Sequence, residues 1–519
     1  MRGPAFRGRG PSTMKRRRFW FAWLGLLLGL LALEAGRLAP AWGQGAEVRW
    51  EKPVRLSDPD QLAWFPDVTA SDAGDVIVIW SGGARRGRTR FDALMLSRLR
   101  QGSWSWPVDI QAVPIVGNMS YAVRNSIALD QYGDVLVTFR VPTILYFSKA
   151  SADQATSARA WTSPRRLSGS NVAYYNELGV DPEGRIHVVW SEIRAAPACE
   201  GCADIFYRYS DDGGETWSSP VNLSQSPRHD SLKPHLWIGR GSWLYVTWQE
   251  SEGLFVGGGK PAGVRLARSP DRGRTWRDPI WITSTVGSPQ QAVIGEDGRG
   301  VLLLIWRIAE GEAVYFQRST DHGETWSSPE PLPGFRARPW TQIPYDDYDV
   351  AADSLGRLHF VGVGAVGTAG QLGVWHLMGD GIGWQGPFLV SADRNFPEWT
   401  RIAVSEGRRL HLVWFERDPE NMYNSDAARY TVWYSTALTD APPVWRTPIP
   451  TRTPTPLPPT PSGVLALPSP TPFIPRAVDP ALPAGQPRPD AEAMRLVGLI
   501  GGAILLLGAI GGWALRRLS

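Results

Sequence analysis

One eight-residue pattern, Ser-x-Asp-x-Gly-x-Thr-Trp, occurs three times in this chain. The copies run from Ser210 to Trp217, Ser269 to Trp276 and Ser319 to Trp326. Each has the chemistry of a strand–turn–strand element. An Asp side chain (Asp212, Asp271 or Asp321) can accept hydrogen bonds from turn N–H groups. Gly supplies the left-handed residue that a tight turn needs. Thr suits the start of the next strand. Trp217, Trp276 and Trp326 are large enough to plug a seam between packed sheets.

These turns belong to a longer repeat. A short apolar run, here called the marker, reads Gly74 to Trp80 the first time. It returns as Gly133 to Phe139, Gly184 to Trp190, Ser242 to Trp248, Gly300 to Trp306, Gly356 to Gly362 and Arg408 to Trp414, at steps of 59, 51, 58, 58, 56 and 52 residues. Val, Ile, Leu and aromatics dominate each run, which reads as a buried strand. An inner strand precedes each marker, and a third and an outer strand follow it. Four strands per unit and a period of this size are the pattern of a β-propeller. Seven inner–marker–third sets extend from Phe65 to Leu438. The last set has no full outer strand after it, and the segment Val48 to Leu56 precedes any inner strand. The N-terminal segment is therefore expected to complete the last unit, beside Thr431 to Ser435, and to remove a free edge.

The octapeptide resembles the Asp-box, or bacterial neuraminidase repeat, of the sialidase superfamily. The resemblance implies an all-β, sialidase-like propeller over residues 44–446, in which the Asp-boxes are structural. Seven blades is the reading of the repeat, with six, the sialidase number, as the alternative.

Outside that region the composition changes. Residues 1–43 hold eight Lys/Arg and one Glu, and Arg516 and Arg517 add two more cations. Removing this surplus of nine from the net charge of +4 leaves about −5 for residues 44–515. A mildly acidic domain argues against a nucleic-acid partner. Lys15 to Arg18, the apolar run Phe19 to Leu33 and Ala41-Trp42-Gly43 read as a secretion signal whose true start is Met14. Residues 447–494 are rich in Pro and Thr and read as an extended stalk. The uncharged stretch Leu496 to Leu515, within the span 495–515, is long enough for a membrane helix, with residues 516–519 as a cytoplasmic tail. The expected molecule is a propeller tethered outside a cell membrane. Cys199 and Cys202 are the only cysteines. With no second Cys/His pair at metal spacing, they read as a loop disulfide. No metal and no cofactor is expected.

The resemblance implies that ligands are bound at the end where the inner strands begin. Those positions offer Arg124, Tyr174, Tyr175, Glu177, Arg228, His229, Asp230, Tyr345, Asp346, Asp347, Tyr348, Arg394, Glu398, Trp399 and Arg401. Arginine suits an acidic group, and aromatic rings suit a sugar face. Tyr175, Arg228, His229, Asp346 and Trp399 are the expected ligand-binding set. The resemblance implies, for a working sialidase, three arginines from Arg124, Arg228, Arg394 and Arg401. It further implies a nucleophile among Tyr174, Tyr175, Tyr345 and Tyr348, a base in Glu177 or Glu398, and an acid in Asp230 or Asp347. Phe139-Arg140-Val141-Pro142 is similar to the family's first arginine motif, but it ends the second marker rather than opening the first unit. The first unit has no arginine at the matching place. The preferred expectation is recognition of an extracellular glycan or surface protein. A sialidase-type exo-glycosidase and a structural or assembly factor are the alternatives.

Overall fold

The computed structural model describes residues 48–445, apart from 59–61, 87–88, 115–122, 195–197, 255–258, 310, 340–346, 368–369, 393–395 and 418–429. The expected signal segment, stalk, membrane helix and tail lie outside these residues, as do Tyr345, Asp346 and Arg394. Among the described residues no helix is long and apolar enough to cross a membrane.

The chain is all-β, with 29 strands and two single-turn 3-10 segments among the described residues. Every marker is a strand, from Val76–Arg86 to Arg409–Glu416, and its core is almost wholly buried. Each pairs antiparallel with an inner strand on one side and a third strand on the other. The strands form six sheets, one of which has eight strands. That sheet carries two four-strand sets, joined where Glu330–Ala337 pairs with Leu358–Val366. The inner strands are Ala63–Ala70, Val123–Leu129, Ala173–Val180, His229–Ile238, Pro289–Glu296, Asp349–Ala352 and Pro397–Ser405. Each packs against the next in that order, and the last packs against the first.

The N-terminal segment pairs with the last third strand, Val54 opposite Tyr434 and Arg55 opposite Trp433, with Trp50 bridged to Ala437. It also fills a seam. Trp50 sets its edge on His376 of the sixth set at 5.5 Å. Trp104, Trp217, Trp276 and Trp384 do the same to Tyr434, Phe147, Tyr207 and Phe316, each on the third strand of the preceding set, the last set standing before the first. Trp326 packs onto the buried cluster that holds Leu266 of the fourth set. One large aromatic per seam recurs well beyond the three perfect octapeptides.

The three turns share one hydrogen-bond scheme. In the first, Asp212 accepts from the Thr216 N–H at 2.8 Å, the Thr216 hydroxyl at 2.6 Å and the Ser210 hydroxyl at 2.8 Å. Asp271 and Asp321 repeat it with Thr275 and Ser269, and with Thr325 and Ser319. These bonds stabilise the ionised carboxylate, and Asp321 is pushed down to about 2. The glycines have φ of +86°, +79° and +80° at Gly214, Gly273 and Gly323. A Cβ on Gly273 would run into the Tyr207 hydroxyl of the preceding set.

Candidate functional site

The inner strands do not run straight. In six of the seven sets the inner–marker ladder slips near the start of the inner strand, as between Trp64 and Asp67 or between Glu398 and Arg401. Bulges of this kind re-aim a side chain. Five residues at the slip take left-handed backbone: Phe65 (φ 51°), Arg124 (63°), Lys233 (54°), Gln291 (47°) and Trp399 (58°). Such a conformation is uncommon for large residues and persists only where surrounding packing enforces it.

The turned side chains meet. The Arg124 guanidinium lies over Phe65 at 4.1 Å, Tyr175 at 4.2 Å and Trp399 at 5.4 Å. Arg401 covers Trp399 at 4.3 Å. Lys233 donates to Asp347 at 2.7 Å, and Arg401 stands 3.8 Å from the same carboxylate. Burial works against the Asp347 charge, but Lys233, Arg401 and Arg124 outweigh it and hold the carboxyl below its usual range. The cavity between Tyr175, Lys233, Gln291, Asp347, Trp399 and Arg401 measures about 30 Å³, room for roughly one water. The cluster is thus nearly filled by its own side chains.

A second tier lies two residues further along the inner strands. There a polar side chain clasps the next set's backbone. Asp67 accepts the Ile127 N–H at 3.0 Å, Ser126 that of Leu178 at 3.2 Å, Glu177 that of Leu236 at 2.6 Å, and Asp349 that of Ile402 at 2.9 Å. Arg401 occupies the same position in the seventh set. Burial pushes Asp67 up to about 7, with Arg401 opposing. Burial also raises Glu177, opposed by His235 and Arg401. His235 is raised despite burial, because Glu177 and Asp349 favour its cation.

The expected site residues therefore divide. Arg124, Tyr175, Asp347, Trp399 and Arg401 come together. Tyr348 touches the cavity but is buried against Phe335 and Phe360. Glu177 and Glu398, expected as bases, serve elsewhere. Glu177 is a seam clasp, and Glu398 is fully buried with Arg417 at 2.6 Å and Arg338 at 3.9 Å. Asp230, expected as an acid, is buried and accepts the Ala203 N–H at 2.8 Å. Arg228 is exposed, and His229 sets its edge against Trp281 of its own set. Tyr174 stands beside Arg140 instead. Sequence reasoning missed Phe65 and Gln291. Their signal was the place two residues before the clasp position, which the bulge turns inward. Cys199 and Cys202 are disulfide-linked. Among the described residues no group of three His, Cys, Asp or Glu could hold a metal ion.

Residues 147–338 match the model of the BNR repeat-like domain. No curated protein matches the chain. Solved structures do. A protein of unknown function from Dyadobacter fermentans is 13% identical, with 76% of this chain and 100% of that one covered and a TM-score of 0.45. The NanB sialidase of Streptococcus pneumoniae is 12% identical over 78% and 72%, with a TM-score of 0.42. An ulvan lyase, a polysaccharide lyase, is 11% identical over 74% and 95%, with a TM-score of 0.48.

Proposed function

Starting from a chain with the sialidase-like BNR-repeat fold, we propose a recognition protein that holds a glycan at the axial cluster of its propeller. One observation carries this reading. Three cations and three aromatic rings, drawn from inner strands of several sets, gather with the carboxylate of Asp347. Cations and a carboxylate can exchange hydrogen bonds with sugar hydroxyls, and Tyr175 and Trp399 offer faces for the ring. Because the cavity is small, a ligand engages the cluster from its open end. Its polar groups take over part of the bonding between Lys233, Arg401 and Asp347. The carboxylates Glu177 and Glu398 are committed to a backbone clasp and a buried arginine pair, and this favours binding over hydrolysis.

The same proposal includes seven blades closed by the N-terminal strand. It also places the propeller outside the cell, exported by the N-terminal signal and held by the stalk and the helix at Leu496 to Leu515. The cluster reading is tested by titrating the full-length protein in detergent against a panel of oligosaccharides. Wild type binds at least one class, and Trp399→Ala weakens it by at least tenfold. Equal binding by both proteins, or no binding across the panel, would reject the reading.

A further inference from the structure

Five markers end in a buried tryptophan, and four of these give the indole N–H to a side chain. Trp190, Trp248 and Trp414 donate to Glu192, Glu250 and Glu416, each two residues further on, at 2.9, 2.8 and 3.3 Å. Trp306 donates to Gln317 at 3.0 Å. Two of the glutamates also hold the preceding set. Glu192 accepts the Gly169 N–H at 3.0 Å, and Glu250 accepts the Ser226 hydroxyl at 2.6 Å. Each of these two plugs its seam. The first set departs from the pattern. Trp80 is 2% exposed, and the place two residues on is Gly82. A Cβ there would stand 3.3 Å from Trp80 Nε1. Among the described residues no acceptor takes the Trp80 N–H in its stead.

Space replaces the plug. A cavity of about 640 Å³ opens in the seam between the last set and the first, with Leu56, Trp80, Met95, Trp104, Trp106 and Pro107 in its lining. Trp106 sits where the first outer strand breaks, between Ser103–Trp104 and Val108–Pro114, and is 90% exposed. The serines of the wall are engaged. Ser97 donates to the Ser105 carbonyl at 2.8 Å, Ser105 accepts the Arg98 N–H at 3.0 Å, and Ser57 accepts the Val432 N–H at 2.9 Å. A buried indole donor among tryptophan faces suits a proline-rich chain. Proline brings a carbonyl acceptor and no N–H that needs a partner of its own, and its extended helix packs in aromatic-lined grooves.

Such a chain begins within reach. Val444 donates its N–H to the Glu406 carbonyl, and Glu406 donates its own to Asp72 in the first set's turn at 2.6 Å. From that turn the outer strand lies three strand spacings away, about 15 Å. Residues 446–452, extended at about 3.1 Å each, cover about 20 Å. Next comes Thr453-Pro454-Thr455-Pro456-Leu457-Pro458-Pro459, four of whose seven residues are proline.

We propose that this cavity docks the chain's own proline-rich segment, with Thr453 to Pro459 lying along Trp104 and Trp106 and one of its carbonyls accepting the Trp80 N–H. The start of the stalk then belongs to the propeller, and the free tether begins beyond it. The dock stands apart from the axial cluster and does not depend on whether a glycan binds there.

The test is limited trypsin digestion of the full-length protein in detergent. Arg452 abuts the docked segment and Arg476 lies beyond it, so the second cut is an internal control for the first. The Arg452 cut should be at least tenfold slower in wild type than in Trp106→Ala, with the Arg476 cut unchanged. Trp106 is exposed, so this variant keeps the fold, and melting curves check that it does. Gly82→Glu restores the plug of the other seams and should free Arg452 in the same way, as should Pro454→Ala combined with Pro456→Ala. A synthetic peptide of residues 453–461, which has no trypsin site, should speed the Arg452 cut of wild type when added in excess. Equal Arg452 rates in wild type and Trp106→Ala would overturn the proposal. If the peptide then still binds wild type and not Trp106→Ala by calorimetry, the cavity takes a proline-rich segment of another protein instead. Protection that fades on dilution would also overturn docking within one chain and give the cavity to the stalk of a second copy.

Discussion

The two ends of the inner strands are built by opposite rules. At the Asp-box end the same few residues recur, and each polar group finds its partner within four residues. In the second and third boxes the residue after the Asp then reaches back to the preceding set. Arg272 grips Asp181 at 2.5 Å, and His322 stacks on Trp243 at 4.2 Å while bonding the Tyr245 hydroxyl at 2.9 Å. At the axial end no two sets agree. Phe65, Arg124, Tyr175, Lys233, Gln291, Asp347 and Trp399 come from seven different sets, and contacts among them run from set to set. On the proposed reading, repetition carries stability, and divergence at equivalent positions carries recognition. A scaffold tolerates such divergence at the axis because a bulged inner strand keeps its ladder while changing what it presents.

The largest effect that separates the two ends is expected at the buried pair. Lys233→Met leaves Asp347 with Arg401 as its remaining near cation and should cost about 3–5 kcal/mol. Adding Asp347→Leu should recover much of that stability, because an apolar pair replaces a buried ion pair. Glycan binding should stay lost in both variants. Recovered binding in the double variant, measured beside urea denaturation, would mean that the pair is only structural.

Gly273→Ala tests the opposite end. It forces a Cβ into the Tyr207 hydroxyl at a left-handed position, and a loss of about 2–4 kcal/mol is expected. Glycan affinity of the folded protein should not change. Asp271→Ala should cost less, about 1–2 kcal/mol, because one turn loses its acceptor. An affinity loss in either variant at full folding would erase the division between the two ends.

The smallest effect is in pH dependence, and the two ends should slope oppositely. Asp212, Asp271 and Asp321 are held below the usual carboxylate range. Their stabilisation is present above the unfolded value of about 4 and is lost as pH falls toward the folded value. Asp67 is raised to about 7. Between about pH 4 and 7 the folded state keeps a proton that the unfolded chain has released, so stability falls as pH rises through that window. Asp67→Asn should flatten this fall and leave the acid limb intact. An unchanged slope between pH 4 and 7 would show that Asp67 does not titrate there.

The scaffold was legible because it repeats. The markers, the Asp-box turns and the N-terminal segment at Val54 could each be placed by comparing one set with the next. The seam role of Trp50 was hidden, because it has no octapeptide around it and reaches His376 only through tertiary packing. The axial end was half legible. Arg124, Tyr175, Asp347, Trp399 and Arg401 are conspicuous residues at the right positions. Glu177 looked like a base. Which of two adjacent residues faces the axis depends on where the ladder slips. Neither residue type nor spacing reveals that slip.

The most direct test of the account is to incubate the full-length protein with 3′-sialyllactose and follow binding by calorimetry and products by chromatography. The account predicts saturable binding that Trp399→Ala weakens, with the sugar recovered intact. Free sialic acid released at a rate abolished by Tyr175→Phe would contradict it and establish a hydrolase at the same cluster.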